Sequence, residues 1–334
     1  MKILAIESSC DETSIAIVED AKHVLSNVTY TQIEIHKQYG GVVPEVASRH
    51  HIEKVTYVLE GALQKAGLSL EEIDAVAVTQ TPGLVGSLMV GINTAKTIAL
   101  AFNKPIIYVN HIHGHIYANY LTNEFKFPLI ALVVSGGHTE IVLMKDHFDF
   151  EILGETLDDA VGEAYDKIAR VVNVGYPGGP IIDKMASMGN PTYKLPHVKL
   201  GKDSYDFSFS GLKSAVINLH NKAIQKGEEL NANDLAASFQ DAVVDVLVSK
   251  TKRAILEHNC KQVIVAGGVA ANKGLRKEMA SMVESLDDVV LTFPPFEYCT
   301  DNAAMIASAG YYNYIEGKMI VDPKTLVPTS TIAL

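Results

Sequence analysis

Two hydrophobic periods take turns along this chain. Residues 3–6 and 15–18 are short apolar runs of strand type joined by the polar loop Glu7-Ser-Ser-Cys-Asp-Glu-Thr-Ser14. A third strand is expected around 24–30. The period then lengthens: Val55, Val58, Leu59, Ala62, Leu63 and Ala66 recur at helical spacing, Pro44 suits a first helical position, and Gly67 suits a stop. The spacing predicts a helix over 44–66. Ser69-Leu-Glu-Glu72 is a capping box. A buried-type strand over 74–79 runs into Thr81-Pro-Gly-Leu-Val-Gly-Ser87 and a long helix to about residue 102. The apolar run 106–109 ends at Asn110, a good N-cap, so 111–120 reads as a helix.

The same order then begins again. Strands are predicted at 129–135, 140–145 and 148–153, with Gly136-Gly-His-Thr139 as the tight loop between the first two. Next come a helix over 158–172 capped by Asp158, a loop through Gly175-Tyr-Pro-Gly-Gly-Pro180, and helices near 211–226 and 233–257. An apolar strand at 262–266 leads through Gly267-Gly-Val-Ala-Ala-Asn272 into another helix. A strand at 289–292 and a final helix opened by Asp301 close the pattern. Both halves open with a strand, a Ser/Thr-bearing loop and a returning strand. Such loops can offer backbone N–H groups and hydroxyls to anionic oxygens. A duplicated α/β fold with two opposed phosphate clamps and a nucleotide cleft between its domains is one reading. Ordinary hairpins in duplicated sheets are the other.

Composition narrows the class. The chain has 334 residues, 48% of them apolar and 20% charged, enough for two domains with separate cores. The first residues lack the order of a signal peptide, and no apolar run approaches membrane-spanning length. Three cysteines without metal-type spacing suit a reducing compartment, so a cytoplasmic protein is expected. A net charge of −11 argues against broad non-specific nucleic-acid binding, but not against a local basic patch.

The candidate chemistry begins at His111-Ile-His-Gly-His115. On a helix His111 and His115 share a face, whereas His113 points elsewhere. Such a pair can hold a borderline metal completed by a carboxylate, or be ordinary surface or core histidine. Ile112 stands where a zinc peptidase carries its Glu. Glu7, Asp11 and Glu12 crowd the first loop, as regulators of a metal or phosphate or as solvated acids. Asp301 is placed either to cap a helix or to complete the histidine site. Gly267-Gly268 would admit a flat base or sugar beside a helix N-terminus. Lys194, His197, Lys199, Lys202, Lys213, Lys222 and Lys226, with Tyr193, Tyr205 and Phe207 among them, suit RNA backbone and base stacking, or form a solvated face.

Taken together these motifs resemble the tRNA N6-adenosine threonylcarbamoyltransferase family of the bacterial TsaD type, over essentially the whole chain. The resemblance rests on Glu7 to Ser14, Gly40-Gly-Val-Val-Pro-Glu45, Thr81 to Ser87 and Pro105 to His115. It continues through Val134-Ser-Gly-Gly-His-Thr139, Asp158-Asp-Ala-Val-Gly-Glu-Ala-Tyr-Asp166, Tyr176 to Pro180, Phe207 to Lys213, Ala266 to Asn272 and Cys299-Thr-Asp-Asn302. It implies the duplicated actin/Hsp70/sugar-kinase (RNase H-like) fold. The expected domains are 1–125, joined by about 301–334, and 126–300, carrying a helical insertion at about 173–230. It implies one divalent metal, iron in the first place with zinc or magnesium as alternatives, held by His111, His115 and Asp301. An adenine nucleotide or threonylcarbamoyl-adenylate would be held by Ser9, Val134, Ser135, Gly136, Gly137, His138, Asp166, Gly179, Asp183 and Asn272. Glu12 and His138 are the candidate catalytic groups.

The implied reaction passes the threonylcarbamoyl group to N6 of the adenosine next to the anticodon, in tRNAs reading codons that begin with A, and releases AMP. The implied partners are tRNA, an inactive paralogous TsaB-like subunit, a small TsaE-like P-loop ATPase, and a synthase supplying the adenylate. The rivals are a metallo-endopeptidase, a sugar-kinase-type kinase or ATPase, and a nucleotide-dependent scaffold. The first lacks its Glu, and the second meets Glu7-Ser-Ser where it carries Asp-x-Gly.

Overall fold

The computed structural model describes residues 1–198, 200–201 and 203–329. Two compact units divide the chain: Met1–Glu124 together with the segment from Pro294 onward, and Phe125–Phe293.

The first unit starts with three antiparallel strands, β1 (Lys2–Glu7), β2 (Glu12–Glu19) and β3 (His23–Thr31). A short α1 (Ile33–Lys37) and the long α2 (Pro44–Ala66) follow. Gly67 ends α2 in the left-handed region at φ 67°, where a residue without Cβ is unstrained. Ser69 and Glu72 close the predicted capping box around a single 3₁₀ turn. Then come β4 (Ala75–Thr81), α3 (Val85–Ala101), β5 (Ile106–Asn110) and α4 (His111–Ala118). Beyond the second unit, α10 (Ala303–Ile315) and β11 (Ile320–Val321) return to complete the first. The sheet order is β11-β5-β4-β1-β2-β3, with β4 parallel to β1 and β5 parallel to β4. Its core is aliphatic: Leu4, Ile6, Ile15 and Ile17 from the sheet meet Val55 and Val58 of α2 and Leu88 and Ile92 of α3.

The second unit repeats the plan. Strands β6 (Leu129–Val134), β7 (Thr139–Asp146) and β8 (Asp149–Glu155) are antiparallel neighbours. Helices α5 (Val161–Val171), α6 (Gly178–Ala186), α7 (Ser210–Lys226) and α8 (Ala232–Glu257) precede β9 (Gln262–Ala266), α9 (Lys273–Glu284) and β10 (Val290–Thr292). The order is β10-β9-β6-β7-β8, with β9 parallel to β6 and β10 parallel to β9. Strand for strand, β6 to β10 match β1 to β5.

Two local expectations change, and one open alternative narrows. Asp158 does not cap α5, which begins after Ala160; its carboxylate instead accepts from Phe209 N–H at 2.8 Å and from the Ser208 hydroxyl, fixing the start of α7. The Gly/Pro-rich stretch around 175–180 turns into α6, because Asp166 accepts the Gly178 N–H at 2.7 Å and holds the new helix start. Asp301 does not cap α10. Asn302 does, accepting from Met305 N–H at 3.1 Å, which leaves the Asp301 carboxylate for other work.

Candidate functional site

Strand β5 changes into α4 within one residue. The Asn110 side chain accepts from the backbone N–H groups of Ile112 (2.8 Å) and His113 (3.4 Å), so the helix starts on the last strand residue. Every residue of α4 is buried, mostly beneath α10. Gly114 permits this close fit: a Cβ there would stand 2.6 Å from Cδ1 of Ile306. The start of α10 is tied to β2 by the Ala303 N–H, which donates to Ser14 Oγ at 2.9 Å. Asp301 is thereby delivered to the histidine face.

His111 and His115 stack edge to face with ring centroids 4.5 Å apart. Asp301 Oδ1 lies 3.4 Å from His111 Nε2 and 3.1 Å from His115 Nε2. One ligand atom from each of the three lies within 4.8 Å of the others, a spacing that fits a single metal ion. Among the described residues neither nitrogen of His115 has a hydrogen-bond partner of acceptable geometry, although both are buried and Nε2 is so near a carboxylate. Lone pairs that converge without bonding one another suit a shared cation better than a hydrogen-bonded cluster. His113 lies on the same helix but is not one of the three donors.

The two carboxylates dominate the electrostatics of the cluster. Burial alone would raise both Asp301 and Glu7. His111 nevertheless draws Glu7 below its ordinary carboxylate value, and His111 with His115 draws Asp301 further down. Burial would lower His111, yet Asp301 and Glu7 hold it well above an ordinary imidazole. His115 is lowered, by burial first and then by His111. The two carboxylates thus favour positive charge on this cluster, which the protonated His111 ring can itself carry. Glu12, at the start of β2, accepts from Thr31 Oγ1 at 3.0 Å; burial, then Asp11 and Asp301, push its carboxyl well above the usual range. Ser9 Oγ stands 3.2 Å from His111 Nδ1.

In the second unit Val134 ends β6, and Ser135 closes a tight turn with its N–H donating to His138 O at 2.9 Å and its Oγ accepting the His138 N–H at 3.0 Å. Gly136 and Gly137 are exposed at the tip with open space where a Cβ would be. Gly267 packs under this turn at φ 91°, where a Cβ would lie 2.5 Å from Val134 O. Asp166 is raised by burial despite its bond from Gly178, and Gly179 faces open space. Asp183 accepts from Gln240 Nε2 (3.2 Å) and from the N–H groups of Lys273 (3.2 Å) and Gly274 (3.4 Å). Asn272 caps α9 through Leu275 N–H at 2.8 Å, and its Nδ2 donates to Gln240 Oε1 at 2.8 Å. Gln240 therefore joins Asp183 to Asn272. Asp183, Gln240 and Lys273 line a cavity of about 490 Å³ within this unit.

A family model described as tRNA N6-adenosine threonylcarbamoyltransferase, TsaD, matches residues 23–308. The chain belongs to this family. Relatives carrying that description include one from Staphylococcus saprophyticus, 59% identical over 94% of this chain and 92% of its own length. Another, from Bacillus subtilis, is 56% identical over 95% and 92%. Among solved structures, HypF from T. kodakarensis superposes with a TM-score of 0.65 at 16% identity, covering 95% of this chain and 48% of that one. Component A of the Acidaminococcus fermentans (R)-2-hydroxyglutaryl-CoA dehydratase gives 0.54 at 13% identity, covering 93% and 97%. These distant likenesses agree with the duplicated α/β fold.

Some participants carry no local sequence signal. Gln240 sits mid-helix in α8 with nothing to mark it. Thr79, which donates to Glu7 Oε2, reads only as a strand residue. The basic stretch is less uniform than it reads. Phe207 is fully buried, Tyr205 stacks under Arg253, and His197 and Lys213 pair with Asp245 and Asp159. Lys194, Lys222 and Lys226 remain exposed, while Lys199 and Lys202 lie outside the described residues. Among the described residues no helix is long and apolar enough to cross a membrane.

Proposed function

We infer that the protein is a tRNA N6-adenosine threonylcarbamoyltransferase, and the family match over residues 23–308 carries this reading. The N6 amine of the adenosine next to the anticodon attacks the carbamoyl carbon of L-threonylcarbamoyl-adenylate. The bond from that carbon to the phosphate oxygen breaks, the amine loses a proton, and AMP departs. No protein nucleophile is required.

His111 Nε2, His115 Nε2 and Asp301 would hold one divalent metal, with iron as the first choice because two imidazoles and a carboxylate suit it. When bound, such an ion supplies a Lewis acid for a carbonyl or phosphate oxygen. The convergence of three donor atoms within 4.8 Å supports this assignment. The turn Val134 to His138 and Ser9 are proposed to bind the phosphate, Asp166 with Gly179, or Asp183, to accept ribose hydroxyls, and Asn272 to contact the nucleotide. Orienting a reactive mixed anhydride against a weak amine is the main task of these groups. Glu12 and His138 are the proposed proton acceptors. Glu12 has support from its position at the start of β2, beside the loop that carries Ser9 and Asp11. tRNA, an inactive paralogous subunit and a small P-loop ATPase are the proposed partners, acting in the cytoplasm with a separate synthase supplying the adenylate.

The test is reconstitution with radiolabelled threonine, the synthase, unmodified tRNA and the partner subunits. Label should enter tRNA only when this protein is present. A complete mixture that leaves the tRNA unlabelled would overturn the reading.

A further inference from the structure

Glu7 ends β1 with no exposed surface. Its Oε1 accepts the Ser9 N–H at 2.6 Å, and its Oε2 accepts the Thr79 hydroxyl at 2.5 Å. The same Oε2 lies 3.0 Å from His111 Nδ1. Taking a carboxylate out of water costs several kcal/mol, and a strand end inside an aliphatic sheet has no need of one. Two neutral donors hold this acid in place, and what it faces is the back of a ring whose front atom looks at Asp301.

We propose that Glu7 is a positioning residue for metal binding: it holds the proton of His111 on Nδ1, so that Nε2 presents its lone pair to an ion shared with His115 and Asp301. The ring lies between two carboxylates, Glu7 at Nδ1 and Asp301 at Nε2, 3.0 and 3.4 Å away. A neutral imidazole has one N–H and one lone pair. With the N–H committed to Glu7, the lone pair can only face the Asp301 side. Histidines that bind metals generally donate their other N–H in this way, and losing the acceptor weakens the metal by 10–100-fold. Ser9 Oγ, 3.2 Å from the same nitrogen, offers a second and weaker acceptor. Thr79 keeps Glu7 aimed. The arrangement crosses the sheet from β1 and β4 to α4, which is why no local motif announces it.

This inference rests on the reading of His111, His115 and Asp301 as metal ligands. The test uses the full chain stripped of metal, with equilibrium dialysis against Zn(II), and against Fe(II) without oxygen, for the wild type, Glu7→Gln and Asp301→Asn. Glu7→Gln should weaken binding by about 10–100-fold, and Asp301→Asn by at least as much. Histidine ¹⁵N NMR of the zinc-loaded wild type should show His111 protonated at Nδ1 and metallated at Nε2. If Asp301→Asn binds as tightly as the wild type, the metal assignment itself falls. If Asp301→Asn loses the metal while Glu7→Gln keeps it, only the role of Glu7 falls. Should Glu7→Gln fail to fold, the NMR decides, because a proton on Nε2 or metal on Nδ1 of His111 overturns the inference.

Discussion

His115 Nε2 stands 3.1 Å from Asp301 Oδ1 without hydrogen-bonding to it, and among the described residues the other nitrogen of the same ring has no hydrogen-bond partner either. A buried polar atom left in this state costs about 1–3 kcal/mol. A bound cation would remove that cost. Saturating the protein with metal at about 100 times its dissociation constant should therefore stabilise it by about 2.7 kcal/mol. Thermal melts with Zn(II) and with a chelator measure this. His115→Ala should melt at one temperature in both conditions.

Gly267 meets a different constraint. Its φ of 91° with ψ 170° lies where side chains are essentially excluded, and a Cβ would lie 2.5 Å from the Val134 carbonyl. Gly267→Ala should cost about 1–3 kcal/mol from the backbone alone, with the clash in addition. Urea unfolding reads the loss. Adenosine-nucleotide binding should weaken too, because the Ser135 turn must shift.

Glu140 provides a pH dependence. It is buried in β7 opposite Glu155, with one oxygen unpartnered among the described residues. Burial, then Glu155, raises its carboxyl from 4.5 to about 7. Between those values the unfolded chain has given up this proton while the folded chain keeps it. Stability is therefore lost as pH rises from about 4.5 to 7, by roughly 3 kcal/mol for a shift of this size. Glu140→Gln should remove that slope. Its stability relative to the wild type should rise by about the same amount from pH 4.5 to pH 8, as denaturant melts at a series of pH values will show.

The exposed lysines Lys194, Lys222 and Lys226 bear on tRNA binding by a chain of net charge −11. Changing all three to Glu should lower tRNA affinity and flatten its dependence on salt, by roughly one in the log–log slope for each phosphate no longer neutralised. Filter binding at several salt concentrations tests it, and unchanged affinity would remove this patch from the tRNA interface. Lys213 is excluded because Asp159 already holds it.

What the sequence made legible was local or repetitive. The spacing of Val55, Val58 and Ala62, between Pro44 and Gly67, gives α2 its observed limits. Asn110 gives the start of α4, and the doubled strand–loop–strand plan gives both sheets. Misreadings arose where a side chain had a distant partner. Asp158 resembles an N-cap, yet it serves α7. Asp301 reads as either a cap or a partner of the histidines; Asn302 does the capping, and Asp301 stands beside His111 and His115. Phe207 reads as an aromatic among lysines and is core. Glu7 reads as one of three loop acids, and only the packing of β1, β4 and α4 distinguishes it from Asp11 and Glu12.

The first unit closes on α10, which is separated in the chain from the strands it covers by the whole second unit. During translation, β1 to β5 therefore emerge with the buried face of α4 still bare, and they stay so while the intervening residues are made. A nascent chain halted before residue 301 has both histidines but not Asp301, so the three-donor set proposed to hold a metal stays incomplete until the last helix is made. Any metal taken up at this site would thus be acquired late, in the order in which the message is read.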